Sequence, residues 1–412
     1  MRNQILLAVL TTASLATLAP AADWLDLKDF GPVTQRVSVT VENPADVADP
    51  AALVHIRMAD LRKVDPDANF NQVCVVDPDA KRAKREAADG NFIPFQINAK
   101  TLIFTLPLKP HEKKEVFVYT APAPLNTPGF PSLTAYDSRH AYRSFENKYA
   151  AFRMETGPGA NTTGMAIDLF GKTKAGDGLR LVELYGTGHD SYHKLNYWGV
   201  DILKVGSGPG DGGVYVIAGD QQARPTFAST TVTCLYQGPV ETKLRVSAPV
   251  EIAGKKVTVV RFLTLVGEDR AIHDQVTIQG DDLTGLQLGI GVRDLPNCVW
   301  VEHPDKGYAF QTGDANQANY KAVGMGITFA PSEYVKTLTL PEPDNGGHIY
   351  VLNSLNSHHR IYDIWDMDGQ LPKNIEKAEE LRAPFESWLS TGAALDQSPL
   401  VITLGDKAES KP

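Results

Sequence analysis

The sequence has 412 residues, a formal net charge of −9 and a pI of about 5.6. This acidic balance argues against a nucleic-acid-binding protein, for which a basic surface is expected. It does not exclude an acidic ligand, because a local basic cleft can lie on an acidic protein.

The first 21 residues have the features of a secretory signal peptide. Arg2 gives a positive start, residues 5–18 are apolar and small, and Ala19-Pro20-Ala21 forms a cleavage site. The apolar run is too short to span a bilayer, and no later segment is apolar for long enough to do so. We therefore expect cleavage before Ala22, a periplasmic or secreted protein, and no membrane span.

Short β-branched and alternating runs, separated by Gly, Pro, Asn and Asp, predict an all-β sandwich or barrel. The strongest runs are residues 37–41, 73–76, 101–106, 115–119, 214–218, 230–235, 242–246, 256–265, 271–278, 286–292 and 349–352. Helical periodicity is found once, from about residue 374 to 389, and we expect Pro384 to interrupt that helix because proline lacks a backbone N–H.

A proline-rich connection at residues 121–131 divides the chain. Residues 22–120 before it predict an N-terminal β-sandwich region, and residues 132–405 after it predict a larger β domain. Residues 406–412 are expected to form a frayed tail.

The three cysteines are far apart, and their spacing matches no metal-binding motif. Each lies beside apolar or β-branched residues, which favours buried thiols, with one disulfide possible in an exported protein. We expect neither a metal nor a cofactor.

Residues 185–213 are rich in glycine, histidine and aromatic residues. The glycine run at 206–213 lacks the Gly-Lys-Ser/Thr ending of a phosphate loop and precedes a strand-like stretch, so it favours a turn over a nucleotide site. His189 and His193 have the spacing of a helical zinc pair, but the surrounding glycines and tyrosines argue against a helix.

The aromatic side chains of this segment suggest a sugar-binding cleft. Tyr185, Tyr192 and Trp198 can stack on sugar rings, while histidine and tyrosine can transfer protons. The alternative is that the aromatic residues belong to the core and that His189 and His193 only satisfy structural hydrogen bonds.

Basic residues and further histidines offer other binding positions. On a strand, Arg153 lies on the face opposite Phe152 and can bind a carboxylate through two hydrogen bonds. Arg143 and Lys204 are further anion-binding candidates, although each of these cations can equally be solvated or paired in a salt bridge. His348 and His359 are candidate substrate-binding residues, with surface or structural roles as the alternative.

Several motifs are spread over nearly the whole chain after the leader. They are Val39–Pro44, Phe145–Asn147, Ala151–Arg153, Asp168–Lys172, Tyr192-His193, Trp198–Gly206 and Gly212-Gly213. In these motifs the chain resembles a family of exported bacterial proteins of about 400 residues that is classed as a domain of unknown function. The resemblance implies a galactose-mutarotase-like β-supersandwich over residues 132–405 and an association with the degradation of uronate-containing, pectin-type glycans.

The first functional hypothesis is a polysaccharide lyase that acts by β-elimination on an acidic glycan. Arg153, with Arg143 or Lys204, would neutralise the uronate carboxylate. His193 would be the base and Tyr192 or Tyr185 the acid.

Three alternatives stay open, and the sequence gives no indication of the oligomeric state. A mutarotase or epimerase would pair His193 or His348 with Glu183, Asp201 or Asp363. A glycoside hydrolase would need two carboxylates on either side of the bond. A non-catalytic glycan-binding protein would use the same cleft.

Overall fold

The computed structural model describes residues 35–79, 92–98, 100–121, 132–138, 142–155, 165–174, 179, 192–206, 208–315, 321–341 and 346–409. Its strands in chain order are β1 (Gln35–Glu42), β2 (Asp49–Arg57), β3 (Val73–Val76), β4 (Phe95–Asn98), β5 (Thr101–Leu108), β6 (Lys113–Thr120), β7 (Thr134–Asp137), β8 (Tyr142–Asn147), β9 (Ala151–Glu155), β10 (Asp168–Lys172), β11 (Gly199–Asp201), β12 (Asp211–Ala218), β13 (Gln221–Ala223), β14 (Thr231–Gln237), β15 (Glu241–Ile252), β16 (Lys255–Val266), β17 (Ile272–Gln279), β18 (Leu286–Arg293), β19 (Val299–His303), β20 (Tyr308–Gly313), β21 (Val323–Thr328), β22 (Tyr334–Leu340), β23 (Gly347–Leu352), β24 (Asn356–Trp365) and β25 (Val401–Glu409). Two α-helices accompany them, α1 (Met58–Val64) and α2 (Ala378–Gln397). The predicted all-β sandwich class is therefore confirmed.

Two small sheets form an N-terminal sandwich. One has the strand order β25-β1-β6-β3, and the other has the order β2-β5-β4. Val37, Val39 and Val41 alternate along β1 and are fully buried against Val54 and Phe104 of the second sheet. The alternation places one face of each sheet in a shared apolar core.

The last strand of the chain belongs to this N-terminal sandwich. β25 pairs antiparallel with β1, with Val41 opposite Ile402 and Gln35 opposite Glu409. The structure thus differs from the predicted tail at 406–412 and from the predicted domain end at 405. The run beginning at Val401 is rich in β-formers, but nothing local in the sequence indicates that its partner is the first strand.

Three larger sheets surround one continuous core. Their orders are β14-β15-β16-β17-β24-β21-β20-β19, β13-β12-β18-β23-β22 and β11-β10-β9-β8-β7. Leu263, Ile290 and Leu169, one from each sheet, are at most 1% exposed and pack in the same cluster. Sheets that share a core in this way form an all-β sandwich.

Helix α2 covers the outer face of the eight-stranded sheet. Leu381, Phe385 and Leu389 repeat at helical spacing and are fully buried, with the Phe385 ring 5.5 Å from that of Phe310. The predicted interruption at Pro384 is wrong, because the helix continues through it. Burial of this apolar face stabilises the helix despite the hydrogen bond that proline cannot donate.

The five-stranded sheet β11-β10-β9-β8-β7 has two different faces. Phe152 and Leu169 face the core, and Gly171 lies so close to the Trp365 ring that an added Cβ would stand 2.4 Å from it. Tyr149 lies in the turn of the hairpin formed by β8 and β9. The opposite face carries charged residues and positions the candidate site.

No α-helix in the described part of the chain combines the length and apolar character that a membrane crossing requires. The three cysteines are free, and burial raises the pKa of Cys74 to about 12. A buried thiol with such a pKa is a structural residue and not a reactive one.

Candidate functional site

His193 and Asp201 form the centre of the candidate site. His193 Nδ1 lies 3.3 Å from Asp201 Oδ2, and the two side chains are 55% and 1% exposed respectively. Asp201 is the last residue of β11, and its backbone N–H donates to the Tyr192 carbonyl at 2.9 Å, which ties the histidine-bearing segment to the sheet. The pairing of His193 with Asp201 that the sequence suggested is present.

Arg153 lies between two buried carboxylates. Register places Arg153 of β9 opposite Asp168 of β10, and its Nη2 donates to Asp168 Oδ2. The same nitrogen is 3.8 Å from Asp201 Oδ2. Both carboxylates therefore contact one guanidinium, which is itself only 7% exposed.

Aromatic rings enclose this guanidinium. The Arg153 guanidinium carbon lies 5.3 Å from the ring centroids of both Phe170 and Tyr192, within the range of cation–π attraction. The Tyr192 ring centroid is 4.1 Å from that of His193. These contacts fix Tyr192 beside the imidazole, while Trp198 is fully buried below it with Phe170 and Ala151.

A second ion pair continues the charged face of the sheet. Asp168, Phe170 and Lys172 alternate along β10 and so lie on one face. Lys172 Nζ donates to Glu146 Oε2 at 2.7 Å and to the Asn147 carbonyl at 2.6 Å, with both charged residues almost fully buried. Among the described residues, this face of the sheet thus holds three carboxylates and two cations, which is unusual for buried residues. They are Glu146, Asp168, Asp201, Arg153 and Lys172.

The surroundings change the proton affinities of the central groups. Burial, and then the neighbouring Asp201 charge, raise the pKa of Asp168 well above its ordinary value, although Arg153 opposes the shift. Partial burial and the Arg153 charge lower the pKa of His193. A lowered pKa favours the uncharged imidazole at neutral pH, and this form can accept a proton.

Arg143, a predicted anion-binding residue, lies on the other face of the sheet from Arg153. Arg143 is opposite Met154 and Ser144 is opposite Arg153, so the two arginine side chains leave opposite faces of the sheet. Arg143 Nη1 donates to the Ser138 carbonyl at 3.4 Å. The structure therefore does not bring Arg143 and Arg153 together as one anion-binding pair.

Lys204 is exposed just after β11 ends at Asp201. Tyr185 and His189, predicted as catalytic residues, and Glu183, a suggested partner, lie outside the described residues. Trp198 is 1% exposed, so in this structure its ring faces the protein interior and not an open cleft.

His348 belongs to a different part of the molecule. It lies on β23, with Nδ1 3.2 Å from Asp294 Oδ1 and its ring centroid 4.0 Å from that of Trp300. Neither Asp294 nor Trp300 belongs to the sheet β11-β10-β9-β8-β7, beside which His193 lies. His348 therefore does not share the candidate site.

His359 lies in the interior. Its Nε2 is 2.8 Å from Asp274 Oδ2, which also accepts from Arg261 Nε at 2.9 Å, and all three side chains are nearly or fully buried. In this structure His359 lines no open cleft, and its position indicates a structural ion-pair network. The adjacent His358 projects from the other face of the strand, as expected from strand alternation.

The arrangement can perform acid–base chemistry. A partly exposed neutral imidazole, oriented by a buried carboxylate, can accept a proton, and the adjacent tyrosine can donate one. Sequence reasoning gave Asp168 no role of its own. The alternation Asp168-x-Phe170-x-Lys172 beside a strand containing Arg153 is the signal that could have identified it. Within the described residues, no group of three or more His, Cys, Asp or Glu side chains is arranged to hold a metal ion.

Comparisons with known proteins identify a family. The sequence profile described as "Domain of unknown function (DUF4861)" matches residues 41–383. A search of curated proteins found no match.

Two solved structures from Enterococcus faecalis are similar at a low level. One is a protein in the Glycosyl Hydrolase Family 38, with TM-score 0.49, 10% identity, 92% of this chain covered and 48% of that chain. The other is an alpha-mannosidase from strain V583, with TM-score 0.44, 8% identity and coverages of 91% and 46%. The chain thus spans about half the length of these two proteins. At such low scores, neither their fold nor their activity is carried over to this chain.

Proposed function

Because the chain belongs to the DUF4861 family, whose function is unknown, we propose its activity from the site itself: β-elimination on glycans that contain uronic acids. The observation that supports this proposal is the His193–Asp201 pair, in which an exposed imidazole is held by a fully buried carboxylate. Such a pair is suited to removing a proton from a bound sugar.

In the proposed reaction, His193 removes the proton from the sugar carbon that carries the carboxylate. Its Nδ1 is engaged by Asp201, which leaves Nε2 as the accepting nitrogen. The electrons of the C–H bond form a carbon–carbon double bond, and the bond from the neighbouring carbon to the glycosidic oxygen breaks. Tyr192 donates its hydroxyl proton to that leaving oxygen, and no water is consumed.

The negative charge that develops on the substrate carboxylate during proton removal needs a positive neighbour. Arg153 is a cation whose charge acts on His193. A cation at this position would stabilise the developing charge of the substrate. Exposed Lys204 would add to the positive field.

Exposed aromatic surface beside the imidazole supports a sugar as the substrate. Tyr197 is 58% exposed and Tyr192 is half-buried, four and one residues from His193 along the chain. The apolar face of a pyranose ring can stack on such rings while polar groups hold its hydroxyls. We also propose that the scaffold is a galactose-mutarotase-like supersandwich and that the protein is exported.

A glycoside hydrolase is the second candidate. The observation that favours it is the pair of carboxyl groups, Asp168 and Asp201, on one guanidinium, with the pKa of Asp168 raised. Hydrolysis of a glycosidic bond uses one protonated carboxyl as acid and a second carboxylate as base or nucleophile.

Product analysis separates these reactions. The purified protein is incubated with pectic, alginate, ulvan and glucuronan oligosaccharides, and ultraviolet absorbance and product masses are followed together. Elimination predicts absorbance from unsaturated uronates with no gain of water in mass. A gain of one water without absorbance would support hydrolysis, and no change in either would refute both depolymerising activities.

A further inference from the structure

A cavity of about 310 Å³ lies where the N-terminal sandwich meets the large sandwich and helix α2. Its lining includes Asp49 at the start of β2, Tyr149 in the β8–β9 turn, Tyr362 on β24, and Trp388 and Thr391 on α2. The volume is at the lower end of the range for small-molecule sites, and such sites are frequent where domains meet. None of these residues belongs to the His193 site.

Ion pairs connect the walls of this cavity. Arg270 donates to both oxygens of Asp368 at 2.8 Å, and its guanidinium carbon is 3.9 Å from the Trp388 ring centroid. Arg360 donates to Asp396 at 2.8 Å and to Asp269 at 3.2 Å. Since each arginine is paired with carboxylates, neither offers an unbalanced charge, and the cavity suits an uncharged ligand.

Polar groups in the same cavity can bind hydroxyls. Asp49 Oδ1 accepts the Ala51 N–H at 3.0 Å, which leaves its other oxygen for a ligand. Among the described residues, the Gln370 side-chain amide makes no hydrogen bond, and it can both donate and accept one. Aromatic walls with a carboxyl and an amide match the needs of a sugar ring.

A second cavity, of about 210 Å³, adjoins the first. Tyr149 and Gln370 line both, and the second is also lined by Lys148, Lys172 and Lys174. Lys148 is paired with Glu268, and Lys172 with Glu146, whereas Lys174 is exposed. This end of the combined cavity is therefore positive and suits a carboxylate.

We propose that the two cavities form a binding site for a short acidic oligosaccharide that does not include His193 or Asp201, although Lys172 of the charged sheet face lines its second part. A neutral sugar ring occupies the cavity between Tyr149 and Trp388, and the carboxylate of the neighbouring uronate lies beside Lys174. The inference shares its ligand class with the proposed function, but it concerns binding only and does not require His193 to be a base.

The test is calorimetric titration of the His193→Ala protein, in which turnover is removed. The ligands are a disaccharide of a hexuronate and a neutral hexose, and the same disaccharide with its carboxyl reduced. Lys174→Glu is expected to weaken the acidic disaccharide about tenfold and to leave the reduced one unchanged, because only the acidic sugar meets the reversed charge. Gln370→Ala is expected to weaken both about fivefold, through the lost hydrogen bonds.

The matched control is Lys336→Glu, which reverses the charge of an exposed lysine on β22 and is expected to change neither affinity. Quenching of tryptophan fluorescence on binding, lost in Trp388→Phe, gives a second readout. Absence of binding to the His193→Ala protein, or equal binding by the Lys174→Glu and control variants, would overturn the inference. Elimination by the wild-type protein alongside such a result would leave the proposed function standing.

Discussion

The most quantitative prediction concerns Asp363, a carboxyl group inside the large sandwich. It lies on β24, is 2% exposed, and its Oδ1 has no hydrogen-bond partner among the described residues. Burial raises its pKa from 3.8 to about 7, with Arg270 opposing the shift and Asp368 adding to it. The folded protein therefore favours the protonated acid, whereas the unfolded chain ionises near the ordinary value.

The pH dependence of stability follows from the difference between the pKa of Asp363 in the folded protein and in the unfolded chain. A pKa raised on folding stabilises the fold below the unfolded value, and that contribution is lost as pH rises through the folded value. For Asp363 the loss falls between about pH 4 and pH 7. A shift of about 3 units corresponds to an upper limit of about 4 kcal/mol, because each unit is worth about 1.4 kcal/mol.

Asp363→Asn removes this titration while keeping the shape of the side chain. Urea denaturation of wild type and variant, followed by tryptophan fluorescence across pH 4 to 8, measures the free energy of unfolding. Across that pH range, the free energy of unfolding of wild type is expected to fall by about 2–4 kcal/mol more than that of the variant. The control is Asp281→Asn, at an exposed aspartate in the turn before β18. Equal pH dependence of wild type and Asp363→Asn would refute the reasoning.

Two further predictions concern helix packing and the candidate base. Gly392→Ala on α2 would place a Cβ 2.1 Å from the Tyr362 hydroxyl oxygen, so we expect a loss of about 1–3 kcal/mol in thermal denaturation. The control, Ser387→Ala on the exposed side of the helix, is expected to cause no loss. Burial and the Arg153 charge lower the pKa of His193. Elimination activity is therefore expected to rise with pH and then level off, with the midpoint of the rise below 6.5, the ordinary pKa of histidine. A midpoint above that value would contradict the assignment of His193 as a base.

Most strands could be predicted because their residues carry a local signal. The β-branched run around Val39 and the alternation along β16 and β17 define buried faces without reference to the rest of the chain. The pairing of β25 with β1 could not be predicted, because it joins the two ends of the described chain and depends on tertiary contacts. The passage of α2 through Pro384 also depends on burial of its apolar face.

The sequence named several residues that the structure brings together, but it did not give their arrangement. His193, Tyr192 and Arg153 do lie together, and Asp201 is the histidine's partner. The hairpin turn between β8 and β9 decides which residues share a face, and so places Arg143 on the other side of the sheet from Arg153. The separation of His348 and His359 from the site is likewise a consequence of sheet order, which residue types do not reveal.

The measurement that tests the central claim most directly compares three proteins on uronate glycans. Wild type, His193→Ala and His111→Ala are assayed for the absorbance of unsaturated uronates, and His111 is chosen because it is an exposed histidine of the N-terminal sandwich paired with Asp46. We predict equal absorbance from wild type and His111→Ala and none from His193→Ala. Undiminished absorbance from His193→Ala, or none from wild type on any glycan, would contradict it.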